Sequence, residues 1–284
     1  MSNDDGFSLE KAKIVIIGLG LMGGSLAMAL KGKCADLLAV VPRQRTRELA
    51  LRMGIVSRAS EDPAEILPQA DVVVLSTPVP AIIEWLERLP ELVPGRCIVL
   101  DMGSSKQIIV DAMRGLPERF ESLGGHPICG KEKLSLENAD ATLYHDAPFV
   151  LTPLPHTSAR ASAAAFQIVT AIGANPIWMD AALHDRTLAS TSHLPYLLSS
   201  ALVLATSPQS APLVGPGFRS TSRLASTPSS MMLGVLETNK KNVLEAIARF
   251  RENMDLIEQA LQADDFERLQ QILDGAREKH QTFL

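Results

Sequence analysis

Short apolar runs alternate with amphipathic stretches along the first half of the chain. Four runs rich in β-branched and aliphatic residues predict buried strands at residues 13–18, 36–41, 71–78 and 96–103. The stretches between them have helical spacing at residues 25–31, 46–53 and 81–89. Apolar strands separated by helices indicate a parallel sheet that is covered on both faces. A further run at residues 147–153 is expected to close this sheet.

The second half of the chain is rich in Ala, Leu and Ser and has longer helical spacing. Helices are predicted at residues 158–172, 180–206, 229–263 and 264–280, and Pro195 is expected to kink the second of these. The segment 207–227, which is full of Ser, Pro and Gly, is predicted to be a long loop. The fold class is therefore α/β: an N-terminal Rossmann-like doubly wound sheet at residues 11–154, followed by an all-α domain at 155–284.

One stripe of apolar residues runs along the predicted helix at 243–261. Its members recur every three or four positions: Val243, Leu244, Ile247, Phe250, Met254, Ile257 and Leu261. Such a stripe packs against other helices, and in a helical second domain it also fits a contact with a second subunit. The stripe alone leaves both kinds of contact open.

Composition and charge exclude several classes of protein. The 284 residues carry a formal net charge of −5 at pH 7 with no basic block, so binding to nucleic acid is not expected. No apolar run reaches the roughly 18 residues of a membrane span, and the acidic, polar start of the chain is not a secretory signal. Three widely spaced cysteines fit a reducing cytoplasm and predict neither a disulfide framework nor a metal site.

A glycine-rich motif directly follows the first predicted strand and opens a helical pattern. It has the form GxGxxG and consists of Gly18, Leu19, Gly20, Leu21, Met22 and Gly23. In this context the first glycine permits a tight turn, the second lets a pyrophosphate approach the backbone, and the third lets the helix pack on the strand. The motif predicts a dinucleotide site at the positive end of the helix.

The end of the second predicted strand favours NADP over NAD. NAD-binding domains usually carry an acid there for the ribose hydroxyls, but this chain has Arg43 and Arg45 and no acid. A guanidinium pairs well with a 2′-phosphate. Ser76, Thr77 and Pro78 end the third strand, at the sheet edge where such domains bind their ligands, and are also expected to bind the cofactor.

Two more polar clusters follow predicted strands. Residues 101–106 end the fourth strand, and residues 124–130 hold His126 between glycines and a proline in what we predict to be a rigid loop. A histidine at this position is a candidate general base near neutral pH.

Five motifs in order resemble the prephenate/arogenate dehydrogenase family of tyrosine biosynthesis. They are GLGLMGGS at 18–25, DMGSSK at 101–106, GGHPICGKEK at 124–133, HDRTLASTSHLP at 184–195 and GPGFRSTSR at 215–223. The resemblance extends from residue 13 to about residue 251. It implies an NAD(P)-dependent dehydrogenase that converts prephenate into 4-hydroxyphenylpyruvate by hydride transfer and decarboxylation. Together with the apolar stripe at 243–261, the resemblance also implies a homodimer joined through the helical domain.

The resemblance also implies roles for individual residues. His126 occupies the position of the family's catalytic histidine, which is expected to act on the ring hydroxyl of the substrate. Ser104 occupies the position of a serine that lies beside this hydroxyl. Four residues are expected to bind substrate: Arg223, Arg219, His193 and Glu132. Arg223 matches an arginine for a substrate carboxylate, and Glu132 matches an acidic position at the mouth of the pocket.

Alternative functions remain open from the sequence. Arogenate-accepting relatives often carry an acid after the first arginine of the last motif, where this chain has Ser220, so prephenate is favoured. The alternatives are an arogenate dehydrogenase, a dehydrogenase of a related prephenate analogue, and a catalytically silent NADP-binding sensor. A sensor has no need to keep Ser104, His126 and Arg223 together.

Overall fold

A computed structural model describes residues 6–131, 133 and 135–283. An eight-stranded sheet forms the first part of these residues and helices form the rest. The strands are β1 (Lys13–Ile17), β2 (Asp36–Val40), β3 (Arg58–Ser60), β4 (Val72–Leu75), β5 (Cys97–Asp101), β6 (Phe120–Pro127), β7 (Pro148–Pro153) and β8 (Asn175–Trp178). The predicted fold class, a Rossmann-like domain followed by a helical domain, is confirmed.

The sheet has the order β3-β2-β1-β4-β5-β6-β7-β8 and is parallel except where β7 runs antiparallel to β6. In β1, Ile14 and Ile16 pack into the hydrophobic core on one face, while Val15 and Ile17 pack into the core on the other. This burial on both faces explains why the central strands are apolar throughout. The helices of this part are α1 (Leu21–Leu30), α2 (Gln44–Arg52), α3 (Val79–Leu92), α4 (Gln107–Met113) and α5 (Ala159–Ala171).

The glycine-rich segment around His126 is a strand, where the sequence predicted a loop. It forms β6 between β5 and β7. A side chain at Gly125 would place its Cβ 2.5 Å from the backbone oxygen of Asp101, so β6 approaches β5 only because glycine is present. The short β3 was also absent from the predicted elements. Glycine and proline disfavour strands in general, and that preference hid β6 in the sequence.

The sheet continues past residue 154, where the sequence placed the end of the first domain. The strand β7, which was expected to close the sheet, is followed by α5, which packs against β5 and β6, and by β8, which pairs with β7. The edge strand β8 contains Asn175 and Pro176, and this composition does not predict a strand. The sheet part therefore runs to Trp178.

The remaining residues are mainly helical. The helices are α6 (Ala181–Leu188), α7 (Leu194–Ala205), α8 (Pro216–Ser222), α9 (Ser229–Thr238), α10 (Lys240–Gln262) and α11 (Phe266–His280). The predicted loop at 207–227 instead contains α8 and two 3₁₀ turns, because Pro208 and Pro216 occupy first positions of helical turns, where a missing N–H costs nothing. A π-helical segment, Ala189–His193, joins α6 to α7 just before Pro195.

The joined helical run Ala181–Ala205 passes a composition test for a membrane span, with a mean hydropathy of 1.2. The sequence has no uninterrupted apolar run of this length here, because polar residues such as His184, Asp185 and Arg186 lie within it. One such helix is weak evidence, because a core helix of a soluble protein passes the same test. Its buried positions include His184, Asp185 and His193, which bond to other parts of the protein.

Candidate active site

The glycine-rich turn has the geometry that a dinucleotide requires. Gly18 has a φ of +95°, and a Cβ there would lie 2.7 Å from the backbone oxygen of Ser76. A Cβ at Gly23 would lie 2.0 Å from the oxygen of Gly18, so only glycine lets α1 pack this closely on β1. Gly20 caps α1 without a side-chain hydrogen bond, which leaves the amide groups of the first turn available to a phosphate.

A further observation indicates that the residues beside this turn fit a nucleotide. The hydroxyls of Ser76 and Thr77 are buried and have no hydrogen-bond partner within the protein. Buried polar groups are normally paired. A bound cofactor would supply the missing partners, which agrees with the predicted role of the segment after β4.

The arginines at the end of β2 differ in what they contact. Arg43 is exposed at the start of α2, and the exposed Arg45 lies 3.5 Å from Glu137. Arg47 is held by the carbonyls of Val41 and Pro42, at 2.9 and 2.8 Å. It also pairs at 3.0 Å with Glu61, an acid that β3 brings to this edge and that the sequence analysis did not count. Of these three arginines, Arg43 and Arg45 are therefore the two with exposed side chains.

A cavity of about 560 Å³ opens beside the glycine-rich turn. Its lining combines residues of that turn with predicted catalytic and substrate-binding residues, namely Leu21, Met22, Ser104, His126, His193 and Arg223. Helical residues from the second half of the chain, including Tyr196, Met231 and Met232, complete the wall. The cavity thus lies at the carboxyl edge of the sheet, where open α/β sheets bind their ligands.

His126 is placed in this cavity as a neutral imidazole. Burial, followed by the nearby His184, Lys106 and His193, holds its pKa well below the ordinary 6.5. Its Nδ1 lies 2.8 Å from Nε2 of His184, so Nε2 of His126 is the nitrogen left for a substrate. A neutral imidazole nitrogen is a proton acceptor, as a general base must be.

A buried ion pair fixes the loop that carries Ser104. Lys106 and Asp101 are both fully buried and are paired with each other. Asp101 also accepts hydrogen bonds from the backbone N–H groups of Gly103, at 2.7 Å, and Gly125, at 3.0 Å. These bonds tie the loop after β5 to the backbone next to His126. The sequence pattern did not reveal this pairing, since the acid ends a strand and the lysine comes five residues later.

His193 presents a hydrogen-bond donor to the same cavity. Burial is the main cause that lowers its pKa to about 4. The amide nitrogen of Asn239 donates to the carbonyl of Asp185 at 2.7 Å and lies 3.2 Å from Nδ1 of His193. Because the oxygen of that amide accepts from Asn242 at 2.7 Å, Nδ1 of His193 must accept, and its Nε2 carries the hydrogen.

Arg219, a predicted substrate-binding residue, is not among the described residues that line this cavity. It lies on α8, and its guanidinium is 3.4 Å from the carbonyl of Val214. Arg223, four residues later, lies in the 3₁₀ turn after α8 and lines the cavity. Glu132 lies outside the described residues. Cys129 lines the cavity, but burial raises the pKa of its thiol to about 11, which disfavours a nucleophilic thiolate.

The fold and the cavity together define a nucleotide-binding oxidoreductase whose substrate site lies between a Rossmann-like sheet and a helical domain. Residues 26–178 match the family described as "Prephenate dehydrogenase, nucleotide-binding domain", and residues 180–275 match "Prephenate dehydrogenase, dimerization domain". The chain therefore belongs to the prephenate dehydrogenase family.

Individual relatives agree with this assignment. Prephenate dehydrogenase of Bacillus subtilis is 30% identical over 271 residues, which cover 91% of this chain and 72% of that protein. The crystal structure of prephenate dehydrogenase from Aquifex aeolicus with hydroxyphenyl propionate and NAD+ superposes with a TM-score of 0.90, at 27% identity, over 98% of this chain and 100% of that one. The Synechocystis arogenate dehydrogenase structure gives a TM-score of 0.84, also at 27% identity, over 96% and 100%.

Proposed function

We propose that this protein is a prephenate dehydrogenase of tyrosine biosynthesis, which converts prephenate into 4-hydroxyphenylpyruvate and carbon dioxide with reduction of NADP. The observation that carries the proposal is one cavity in which a neutral His126, Ser104 and Arg223 meet beside the glycine-rich turn. The names of the B. subtilis and A. aeolicus relatives support the same reaction.

His126 acts at the hydroxyl of the substrate ring. A bound nicotinamide supplies the acceptor for the hydride that leaves ring carbon 4. As the C–H electron pair leaves, His126 takes the hydroxyl proton and the O–H pair forms a carbonyl, which avoids positive charge at that carbon. When the ring carboxylate departs as carbon dioxide, its bond pair enters the ring. The oxygen then regains its electron pair and takes the proton back from His126.

The other cavity residues bind and orient the substrate. Arg223 pairs with a substrate carboxylate, because a guanidinium fork matches a carboxylate in shape and charge. His193 donates its Nε2 hydrogen to a substrate oxygen, and Ser104 orients the ring hydroxyl toward His126. For Arg219 we propose a role at the outer rim of the site, since it does not line the cavity.

Prephenate is favoured over arogenate by the charges of the cavity. Arogenate carries an ammonium group where prephenate carries a keto oxygen, and an ammonium is stabilised by a carboxylate. Among the described residues that line the cavity, none is Asp or Glu, and Ser220 is exposed on α8. The donor on His193 also suits a keto or carboxylate oxygen better than an ammonium. Arogenate dehydrogenase is the second candidate, favoured by the similarity to the Synechocystis enzyme.

NADP is the preferred cofactor in this proposal. Arg43 and Arg45 lie at the end of β2 with exposed guanidinium groups, where a 2′-phosphate on the adenosine ribose would pair with them. Glu61, an acid at the same edge of the sheet, forms an ion pair with Arg47.

The protein acts as a cytoplasmic homodimer in this proposal. The stripe on α10 divides into Val243, which is buried against the α6–α7 region, and residues such as Leu244, Met254 and Leu261, which are about half exposed. Phe266 and Leu273 of α11 are also exposed. A second subunit would cover this surface. Light scattering of the purified protein at micromolar concentration tests the dimer, and a stable monomer would reject it.

The test of the function is a set of initial rates of nicotinamide reduction in which prephenate and arogenate are each combined with NADP and NAD. Prephenate with NADP is expected to give the highest kcat/KM. Turnover of arogenate alone would replace prephenate as the substrate. Binding of NADP without turnover of either substrate would favour the silent sensor instead.

A further inference from the structure

The histidine in the cavity is the first member of a buried chain of three side chains. Nδ1 of His126 lies 2.8 Å from Nε2 of His184, and Nδ1 of His184 lies 2.8 Å from Oδ1 of Asp185. The two imidazole rings meet edge to face with their centroids 5.0 Å apart. His184 is fully buried and Asp185 is 2% exposed.

Asp185 is held as a carboxylate by its surroundings. Its two oxygens accept from the backbone N–H groups of Lys106, at 2.7 Å, and Gln107, at 2.9 Å. Burial alone would raise its pKa, but the bonds from His184 and from these two N–H groups bring the pKa below its ordinary value. A carboxylate accepts hydrogen bonds and donates none.

This fixed acceptor determines the donors along the whole chain. Because Asp185 only accepts, Nδ1 of His184 carries a hydrogen, and Nε2 of a neutral His184 accepts from His126. His126 is then protonated at Nδ1, so the lone pair of its Nε2 faces the cavity. The opposite tautomer of His126 would present an N–H there and could not take a proton.

We propose that His184 and Asp185 are positioning residues that hold His126 in its base-competent tautomer and stabilise the positive charge on it when it accepts the substrate proton. The proposal rests on the proposed function. It gives His184, one residue before Asp185 in α6, a role beyond bracing that helix.

Other charged groups around the pair bear on its protonation. Lys106, paired with Asp101 beside β6, His193 from the π-helical segment and Arg223 at the cavity wall are cationic or titratable. Lys106 and His193 disfavour a positive charge on His126. Asp185 is the anion at the far end of the chain, so its removal is the sharpest perturbation.

The first test is Asp185→Asn. Oδ1 of Asp185 accepts from both the backbone N–H of Lys106 and Nδ1 of His184, and Oδ2 accepts from the N–H of Gln107. An asparagine must therefore turn its NH₂ group against one of these N–H donors, and it removes the negative charge that stabilises the protonated form of His126. We expect kcat to fall by about 100-fold while KM changes by less than about threefold. Asp180→Asn is the matched control, because Asp180 caps the same helix and an asparagine caps it equally well.

A second pair of variants guards against a folding defect. In His184→Gln the amide oxygen can accept from His126 in place of Nε2, whereas His184→Leu offers no acceptor. The glutamine variant is expected to keep at least about tenfold more kcat than the leucine variant. NADPH binding, followed by fluorescence, should be unchanged in all three variants if they are folded.

Side-chain nitrogen NMR of labelled histidine reads the tautomers without catalysis. In the wild-type protein at neutral pH, His126 and His184 should both be protonated at Nδ1 and bare at Nε2. In Asp185→Asn the acid limb of kcat/KM should move to lower pH, because His126 loses the influence of an anion. A wild-type His126 that is protonated at Nε2, or a kcat of Asp185→Asn within about threefold of wild type, would overturn the proposal. If the wild-type protein turns over neither substrate, the proposed function fails instead, and the NMR result still decides the hydrogen-bond chain.

Discussion

Mild acid is expected to destabilise the protein, and His193 contributes a defined share of that loss. Burial lowers its pKa from 6.5 to about 4, with Asp185 opposing the change and His184 adding to it. Below pH 6.5 the unfolded chain therefore binds a proton that the folded protein does not, so the free energy of unfolding falls with pH until about pH 4. From these two pKa values, the contribution of His193 lost by pH 5 is about 2 kcal/mol.

The variant His193→Asn isolates this contribution. The asparagine oxygen replaces Nδ1 as the acceptor for Asn239 but does not titrate. Urea unfolding, followed by circular dichroism between pH 7 and about pH 5, gives the free energy of unfolding of both proteins. The wild-type value should fall by about 2 kcal/mol more than that of the variant. His126 lowers the stability of both proteins in the same direction, so the variant should still lose some.

The control for loss of an imidazole is His156→Asn, since His156 is exposed. Equal pH dependence of the wild-type protein and His193→Asn would refute the reasoning, because it would mean that burial of His193 does not exclude its protonated form. A smaller difference at high salt would point to charges rather than burial as the main cause.

Three further predictions concern catalysis and cofactor choice. His126→Asn should lower kcat by about 10²–10⁴-fold and leave the affinity for NADP unchanged. Steady-state rates measure kcat and a fluorescence titration measures the affinity. A kcat near that of wild type would contradict the role of His126 as general base. Arg223→Ala should mainly raise KM for prephenate, by tenfold or more from the loss of a charge-assisted hydrogen bond worth about 1.5–3 kcal/mol. Arg219→Ala should change KM by less than about threefold, because Arg219 does not line the cavity. Equal effects of the two variants would contradict the assignment. Arg43→Asp should weaken NADP more than NAD in binding titrations, and an equal loss for both cofactors would show that the end of β2 does not contact the 2′-phosphate.

Local sequence was enough to predict the cofactor turn and its surroundings. The motif at 18–23 follows an apolar strand, and the structure places it between β1 and α1 with Gly18 at a φ of +95°. Residues 76–78 follow the next central strand, β4, and so lie beside the turn. These features depend on neighbours in the chain or on strands whose order the right-handed connections fix, so pattern alone finds them.

The substrate site was only partly predictable. Motif resemblance selected Ser104, His126, His193 and Arg223, and the structure brings all four to one cavity. It also selected Arg219, which lies within α8 and does not line the cavity. The loop predicted around His126 is instead β6, because pairing with β5 and β7 outweighs the low strand preference of its glycines.

Periodicity, glycine spacing and turn chemistry are local properties, and they suffice to predict a nucleotide-binding sheet followed by helices. Which nitrogen of each histidine faces the cavity depends instead on contacts between distant parts of the chain. His126 and Asp185 are 59 residues apart in the chain, and Asn239 lies another 54 residues beyond. Their hydrogen bonds exist because the helical domain packs on the carboxyl edge of the sheet, and burial there removes the water that would otherwise compete for them.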